Sequence, residues 1–519
     1  MSLSILVFLP LLFALLVWFM PNDRFVRNSS LVMAVFQFFH ALFFLPGFDS
    51  STFALQFVER SMWVKTAGIE YFLAMDGISI WLVILTNLLV PIIILGSWTS
   101  IDKKVKGFHI SLFVLQSTML GTFLAMDAIL FYTFFEASLI PMYFMVGIWG
   151  GKNRIYASMK FFIYTMFGSL FMLLSIIALM FMTEDQQGVM SSSIVEFYKL
   201  NIPFVAGEFL STQTVLFFGF AIAFAIKVPL FPFHTWLPDA HVQAPTPGSV
   251  ILAGVMLKMG TYGFMRFSLP LFPAATEYWG WIFLVLAVIG VIYGALVAMV
   301  QPDMKKLVAY SSVSHMGFVI MGIFAMNVEG LTGGLYQMLN HGISTGALFL
   351  LVGMIYERTH SREISDYGGL APAAPIFTIF FIIVTMSSIA VPMTNGFVGE
   401  FLIMLGTFLA YKPFVIFAVL GVVFAATYML WMVKRVFFGP AGKIVNEFKA
   451  KGVSLDINAR ECVVLTPLVL LIFWMGIFPN HFLDVSDASI KHLVKNKNQY
   501  FLTIKDSKEK DTKYSKLGQ

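Results

Sequence analysis

Apolar runs separated by short polar joints repeat from one end of the 519-residue chain to the other. A helix needs about 20 predominantly apolar residues to cross a bilayer, and by that rule the pattern predicts about fourteen transmembrane helices. They are centred near residues 11, 38, 87, 117, 139, 170, 222, 257, 289, 315, 344, 392, 425 and 469. The longer polar connections, 47–75, 183–211, 357–373 and 439–460, are all too short for a separate domain. The first run begins at Leu3 with neither a basic leader nor a small-residue cleavage site, and reads as a retained helix.

Two runs depart from this rhythm. The stretch 376–411 would extend roughly 54 Å as one helix, against a hydrocarbon core of about 30 Å. Pro392, followed by Met393-Thr394-Asn395-Gly396, offers a break in its middle. The run from Thr212 to Phe233 is likewise interrupted at Pro229. Two broken helices half a chain apart are the signature of an inverted-repeat transporter. The expected architecture is therefore an all-α polytopic membrane protein with an antiporter-like fold. It comprises three N-terminal helices (1–109), a first repeat of helices four to eight (110–267), an inverted second repeat of helices nine to thirteen (278–438), a cytoplasmic loop with helix fourteen (439–479), and a polar tail (480–519). Little side-chain identity links the two repeats.

Composition agrees with a membrane-embedded chain. Hydrophobic residues make up 59% and charged residues 12%, against about 25% charged in soluble domains. Most basic residues fall in alternate loops, among them Arg24, Lys103, Lys152, Arg154, Lys305, Arg358, Arg362 and Lys434. The opposite loops hold only Arg60, Lys65, Lys199, Arg266 and Lys412. The basic set is expected in the cytoplasm, which puts both termini outside. The lysine-rich tail after Pro479 runs against that rule, and its last dozen residues read as disordered. The net charge of +5 is scattered over short loops and gives no nucleic-acid footprint. Cys462 is the only cysteine, which excludes an internal disulfide and a cysteine-ligated iron–sulfur cluster.

Against this apolar background the ionisable residues at membrane depth stand out, because they are costly there and usually serve ion movement. Glu136 lies in FYTFFEASLIPMYFMVGIWG, and Lys227 ends an apolar run two residues before Pro229. Burial disfavours a charged ammonium and a nearby carboxylate favours it, so a lysine held between the two changes protonation when its partner moves. The alternative for this pair is a static bridge that fixes helix packing. Lys258 falls near the middle of its span, too deep for its side chain to snorkel to an interface. His315 and His341 also fall near mid-span, as proton relays or as packing residues. Glu400 follows the Pro392 break, mirroring Lys227 beside Pro229 with opposite charge. Asp76 and Asp127 open their spans and are expected to cap helices. His234, Asp239 and His241 either line a cytoplasmic entry route or satisfy exposed backbone. No nucleotide loop, haem motif or metal-ligand cluster is present, so no cofactor or metal is expected in this chain.

These segments resemble the M-chain family of antiporter-like subunits of proton-pumping NADH–quinone oxidoreductase, respiratory complex I, the bacterial counterparts of its mitochondrially encoded fourth subunit. The resemblance covers about 75–479 and is carried by FYTFFEASLIPMYFMVGIWG, KFFIYTMFGS, FHTWLPDAHVQAPTPGSVILAGVMLK, PDMKKLVAYSSVSHMGFV and GFVGEF. It implies fourteen helices with two inverted five-helix repeats, the seventh and twelfth helices broken. It implies Glu136 and Lys227 as a charged pair, Lys258 as the central lysine, His315 and His341 as the connecting relay, and Glu400 as the terminal site. It implies partners among the other membrane-arm subunits, the L and N chains, in a bacterial inner membrane. NADH, FMN, iron–sulfur clusters and quinone would lie in partner subunits. The sequence departs from the family at Met393, where glycine commonly follows the proline. The L and N chains and the subunits of multi-subunit cation/proton antiporters are related, and usually carry lysine where Glu400 stands. A sodium/proton antiporter subunit, and a structural scaffold, are the competing expectations.

Overall fold

The computed structural model describes residues 2–495. Nine of its helices are long and apolar enough to cross a membrane, and five shorter apolar helices accompany them. Hydrocarbon offers the backbone no hydrogen-bond partners, so apolar runs of this length satisfy their own amides and carbonyls as helices. Each expected span centre falls on a helix, except residue 392, which falls in the gap between helices Pro375–Ser388 and Asn395–Ala410. Polar residues fix the helix starts: Asn22 accepts from the Phe25 amide at 2.9 Å, and Asp127 from Leu130 at 2.9 Å. Asn458 and Glu461 form a reciprocal capping box.

The helices are layered by burial. The spans Thr246–Leu271, Met304–Phe324 and Val328–Thr359 form the centre and are almost wholly enclosed. Lys412–Phe437 and Ala459–Ile477 lie at the rim and expose Ile416, Val423, Leu470 and Trp474. Helices apolar on every side belong in such a setting, where lipid or other helices cover each face.

The chain is not all helix. Strands Gln56–Val64 and Ile69–Met75 pair antiparallel inside the connection 47–75, which the sequence reading left without structure. The signal was there: both stretches are rich in Val, Phe, Tyr and Met around a short Thr-Ala-Gly turn, and they were passed over because the span rule looks only for long apolar runs. Likewise, 480–495 of the expected polar tail is helical and packs back onto the bundle. Ser489 Oγ accepts from the Gly77 amide at 3.1 Å, and the Trp81 indole donates to the Phe482 carbonyl at 2.9 Å. The rest of the tail, with the expected disordered end, lies outside the described residues.

Loop contacts sort the two ends. At one end Arg27 donates to the Ile101 carbonyl, Arg362 pairs with Asp303 at 3.3 Å, and Arg358 pairs with Glu461 at 2.5 Å. This is the end rich in basic loops. At the other end sits the hairpin, and both ends of the described chain gather at it: Glu59 of the hairpin accepts from the Leu3 amide at 2.6 Å, and His492 stacks at 3.7 Å on Phe53, in the approach to its first strand.

Glu59 thereby caps the N-terminus of the first helix from the hairpin, where an anion is favoured. Partial burial opposes its charged form, but hydrogen bonds from the Ser4 and Ser2 hydroxyls and the Ser4 and Leu3 amides outweigh burial and hold its carboxyl below the ordinary value. A lowered carboxylate pKa gives stability that is complete above the unfolded value of about 4.3 and is lost as pH falls through the folded one. Protection of the Leu3 and Ser4 amides from hydrogen exchange, corrected for intrinsic rate, should therefore hold from neutral pH down to that range and fall below it. Glu59→Ala should exchange rapidly at neutral pH without that step.

Candidate functional site

The first break is built by proline. Helix Thr212–Lys227 stops because Pro229 and Pro232 lack the amides that would continue its ladder. The carbonyls left over are taken up locally: Leu230 N donates to Ala225 at 2.7 Å and the Trp236 indole to Ile226 at 2.9 Å. Lys227 is thus fixed at a helix end inside the bundle, 1% exposed. Its Nζ lies 3.5 Å from Ser138 Oγ and 4.6 Å from the centre of the Phe135 ring, a cation–π distance. Glu136 sits two residues before Ser138, where the helix breaks step because Pro141 has no amide for the Ala137 carbonyl. Among the described residues no ion pair within 4.0 Å joins Glu136 to Lys227. Ser169 lies against the Glu136 carboxylate on one side. The expected pair is therefore two neighbouring charges with a serine and an aromatic ring around the ammonium.

Lys227 and Lys258 lie on touching helices. A side chain at Gly260 would come within 3.1 Å of Lys227 Cβ, so the glycine lets the two helices meet. Lys258 is fully buried and follows a π-helical turn, Leu252–Met256. That wider turn leaves the Ala253 carbonyl open to Lys258 Nζ, which donates to it. The same ammonium lies 2.7 Å from His341 Nδ1.

From there the polar side chains form a file. The rings of His341 and His315 are 6.1 Å apart, and His315 Nδ1 lies 3.2 Å from Glu400 Oε1. A polar void of about 10 Å³ sits beside both rings, lined also by Gln337, Asn340, Ser344 and Ser388. That is about the room one water needs. Gln337 donates to Glu400 at 3.2 Å, Asn340 to Gln337 at 2.9 Å, and Ser387 to Asn395 at 2.5 Å. The structure thus brings four of the six sequence-predicted residues, Lys258, His341, His315 and Glu400, into one connected group, and leaves Glu136 and Lys227 beside it.

Glu400 owes its place to the second break. Between helices Pro375–Ser388 and Asn395–Ala410 the backbone turns through positive φ at Ala390 (57°) and Met393 (73°). Met393 occupies the left-handed region, where the glycine expected from the resemblance would sit without strain.

The sequence reading passed over the amide and hydroxyl members of this group. Their signal is the spacing of Gln337, Asn340 and Ser344, every three to four residues along one helix face. It also missed two buried cations. Arg266, assigned to a loop, pairs with Asp76 at 2.7 Å inside the protein, and Lys305 donates to the Ala244 carbonyl at 2.5 Å. Asp76 does not cap its helix as expected: the helix begins at Ile80 with Ser79 at the N-cap position, and Asp76 accepts from Ile78 and Ser79 at 3.1 Å in the turn before it while also holding Arg266. The residues after the first break separate: Asp239 pairs with Lys160 at 2.7 Å, whereas His241 is fully buried and stacks on Phe349 at 4.6 Å.

A mostly helical membrane protein whose enclosed centre carries a file of ionisable and amide side chains is the class that fold and site define. The chain belongs to the NADH:quinone oxidoreductase/Mrp antiporter transmembrane family, whose match covers residues 125–425. It is 45% identical over 502 residues to NADH-quinone oxidoreductase subunit M of Rhodobacter capsulatus, covering 95% of this chain and 96% of that one. Among solved structures it is similar to a chain of respiratory complex I from Thermus thermophilus with bound NADH. The TM-score is 0.85 at 30% identity, with 96% of this chain and 100% of the other covered. A chain of the Mrp complex from Dietzia sp. DQ12-45-1b shares the fold, with TM-score 0.82 at 20% identity, over 95% of this chain and 97% of that one.

Gly342 and Gly254 let the His341 and Lys258 helices touch: a Cβ at Gly342 would lie 2.8 Å from the Gly254 carbonyl oxygen. Gly342→Ala should push them apart at a cost of about 1–3 kcal/mol. The thermal midpoint of the purified chain should drop accordingly, while alanine at Gly346 in the same helix, whose added Cβ would meet nothing closer than 3.7 Å, should cost less.

Proposed function

We propose that this chain is a proton-translocating subunit in the membrane arm of an NADH–quinone oxidoreductase. The observation that carries the reading is the file Lys258–His341–His315–Glu400, held at hydrogen-bond or single-water spacing inside an otherwise apolar bundle. The kinship with subunit M of Rhodobacter capsulatus supports the enzyme context. NADH oxidation and quinone reduction then belong to partner subunits, with their FMN and iron–sulfur clusters, and the neighbours of this chain are L- and N-type subunits in a bacterial inner membrane.

The finer architecture follows the same reading. Taking Pro375–Ser388 and Asn395–Ala410 as limbs of one crossing, and adding Asp23–Leu42 to the apolar helices, leaves fourteen crossings. The breaks beside Lys227 and before Glu400 fall at corresponding places in 110–267 and 278–438, as two inverted repeats require.

The residues divide the work by chemistry. Glu136 sets the field at Lys227: moving the carboxylate closer favours the ammonium, and moving it away favours proton release. Quinone reduction elsewhere in the complex is the event that shifts it. The released proton passes to Lys258, whose Nζ hands one on to His341 Nδ1. A water between the rings carries a proton to His315, and His315 Nδ1 delivers it to Glu400 Oε1. Gln337 and Asn340 hold the Glu400 carboxylate in place. Each transfer only exchanges one N–H or O–H bond for another, and neighbouring groups titrate together.

Lys258→Ala in membranes containing the assembled complex tests this. NADH-driven proton pumping should fall by most of its amplitude with subunit content unchanged. Undiminished pumping would overturn the role of Lys258. Sodium exchange driven by an imposed gradient, independent of NADH, would instead identify a cation/proton antiporter subunit.

A further inference from the structure

A second polar cluster shares the Lys258 helix but not the file. Eight residues along the span Thr246–Leu271, about 12 Å toward the hairpin end, Arg266 is buried against Asp76. Its Nη2 donates to both Asp76 carboxylate oxygens at 2.7 Å, and its Nε donates to the Tyr262 hydroxyl at 3.0 Å. Tyr262, between Arg266 and Lys258, is fully buried and donates its own proton to the Phe123 carbonyl at 2.9 Å. Its hydroxyl is therefore committed on both sides, donating to Phe123 and accepting from Arg266. Asp76 is equally tied, by the Ile78 and Ser79 amides.

Beyond the pair lies a cavity of about 590 Å³. Its walls come from the hairpin approach (Phe53, Leu55), the connection after the sixth apolar run (Tyr198, Leu200), the end of the Lys258 span and the helix over 480–495. Phe53 is half exposed, so the cavity reaches the surface at the end poor in basic loops, the outer end by the charge rule. Asp76 and Arg266 form its floor. A surface-connected chamber with largely apolar walls and a charged floor therefore ends one turn short of Tyr262 and two turns short of the central lysine.

We propose that Arg266, held by Asp76 and Tyr262, is a proton seal that closes the outer end of the first half of the bundle. A fixed guanidinium at a narrow point repels an approaching hydronium, and an Arg–carboxylate pair whose two carboxylate oxygens are both held by the guanidinium leaves little room for a proton to hop through. Arg266 is a positioning residue: it touches none of the relay groups, and it directs a proton on Lys258 toward His341 and Glu400 by denying it the shorter way out. The proposal rests on the relay reading above for the purpose of the seal, but the seal itself is measured without turnover.

The test uses membranes carrying the assembled complex, with no NADH, and follows the decay of an imposed pH gradient. Arg266→Gln keeps a neutral N–H donor on a shorter side chain and removes the charge. It should speed the decay severalfold and, with NADH present, lower the protons pumped per electron while oxidation continues. Arg266→Lys should restore a tight membrane. A normal decay in Arg266→Gln would overturn the seal, whatever Lys258→Ala does to pumping. Should Arg266→Gln fail to assemble, thiol labelling decides in a Cys462→Ser background. An impermeant maleimide added from outside should react with Leu200→Cys in the chamber wall and not with Met259→Cys behind the pair. Equal labelling of both would overturn the proposal.

Discussion

An ammonium at the centre of a bilayer costs about 2.5–3.5 kcal/mol on insertion scales, and more where nothing hydrates it. Lys258 has no solvent contact at all, so the surrounding structure must supply what water would have. It does so with one carbonyl, opened by a π-helical turn, and one imidazole, brought close by a glycine contact between helices. The rest of the centre follows from that need. His341 requires its neighbours, the void beside it requires polar walls, and the far end requires a carboxylate to balance the cation. The file from Lys258 to Glu400 is in this sense one extended solvation shell, and a solvation shell made of titratable groups is what the proposed proton path requires.

The same constraint explains where the helices break. A break exposes backbone groups that hydrocarbon cannot satisfy. After Lys227 the indole of Trp236 and the Leu230 amide take up the freed carbonyls, and before Glu400 the Val391 amide takes up the Met386 carbonyl. Breaks are affordable only beside polar side chains, and polar side chains are tolerable only beside groups that a break has freed. Each therefore marks the other. The buried pair Asp76–Arg266 obeys the same rule: it is enclosed, and both carboxylate oxygens and the Nε and Nη2 of the guanidinium are bonded. A buried pair of this kind adds little net stability, which suits a role in directing protons better than one in holding the fold.

Much of this was open to reading from the chain alone. The apolar period marked the helices, Pro229 and Pro392 marked the breaks, and the rarity of charge at membrane depth singled out Glu136, Lys227, Lys258, His315, His341 and Glu400. Those signals are local: each depends on one residue type in one stretch of chain. The hairpin escaped because a rule for long apolar runs is blind to short alternating strands. Arg266 and Lys305 escaped because loop assignment treats a basic residue near a span end as solvated, and only the packing of distant segments shows that it is not.

The sequence by itself determined that this is a polytopic helical membrane protein, with two interrupted helices and a set of intramembrane charges, because hydrophobicity and proline act through neighbouring residues. Only the tertiary structure decided which of those charges meet. It joined Lys258 to His341 across 83 positions and His315 to Glu400 across 85, set Lys227 against Ser138 and Phe135 with no direct bond to Glu136, and paired Arg266 with Asp76 across 190. Such contacts depend on how closely two helix backbones approach, and that distance is set by glycines, π-turns and packing on both partners at once, which no single stretch of sequence contains.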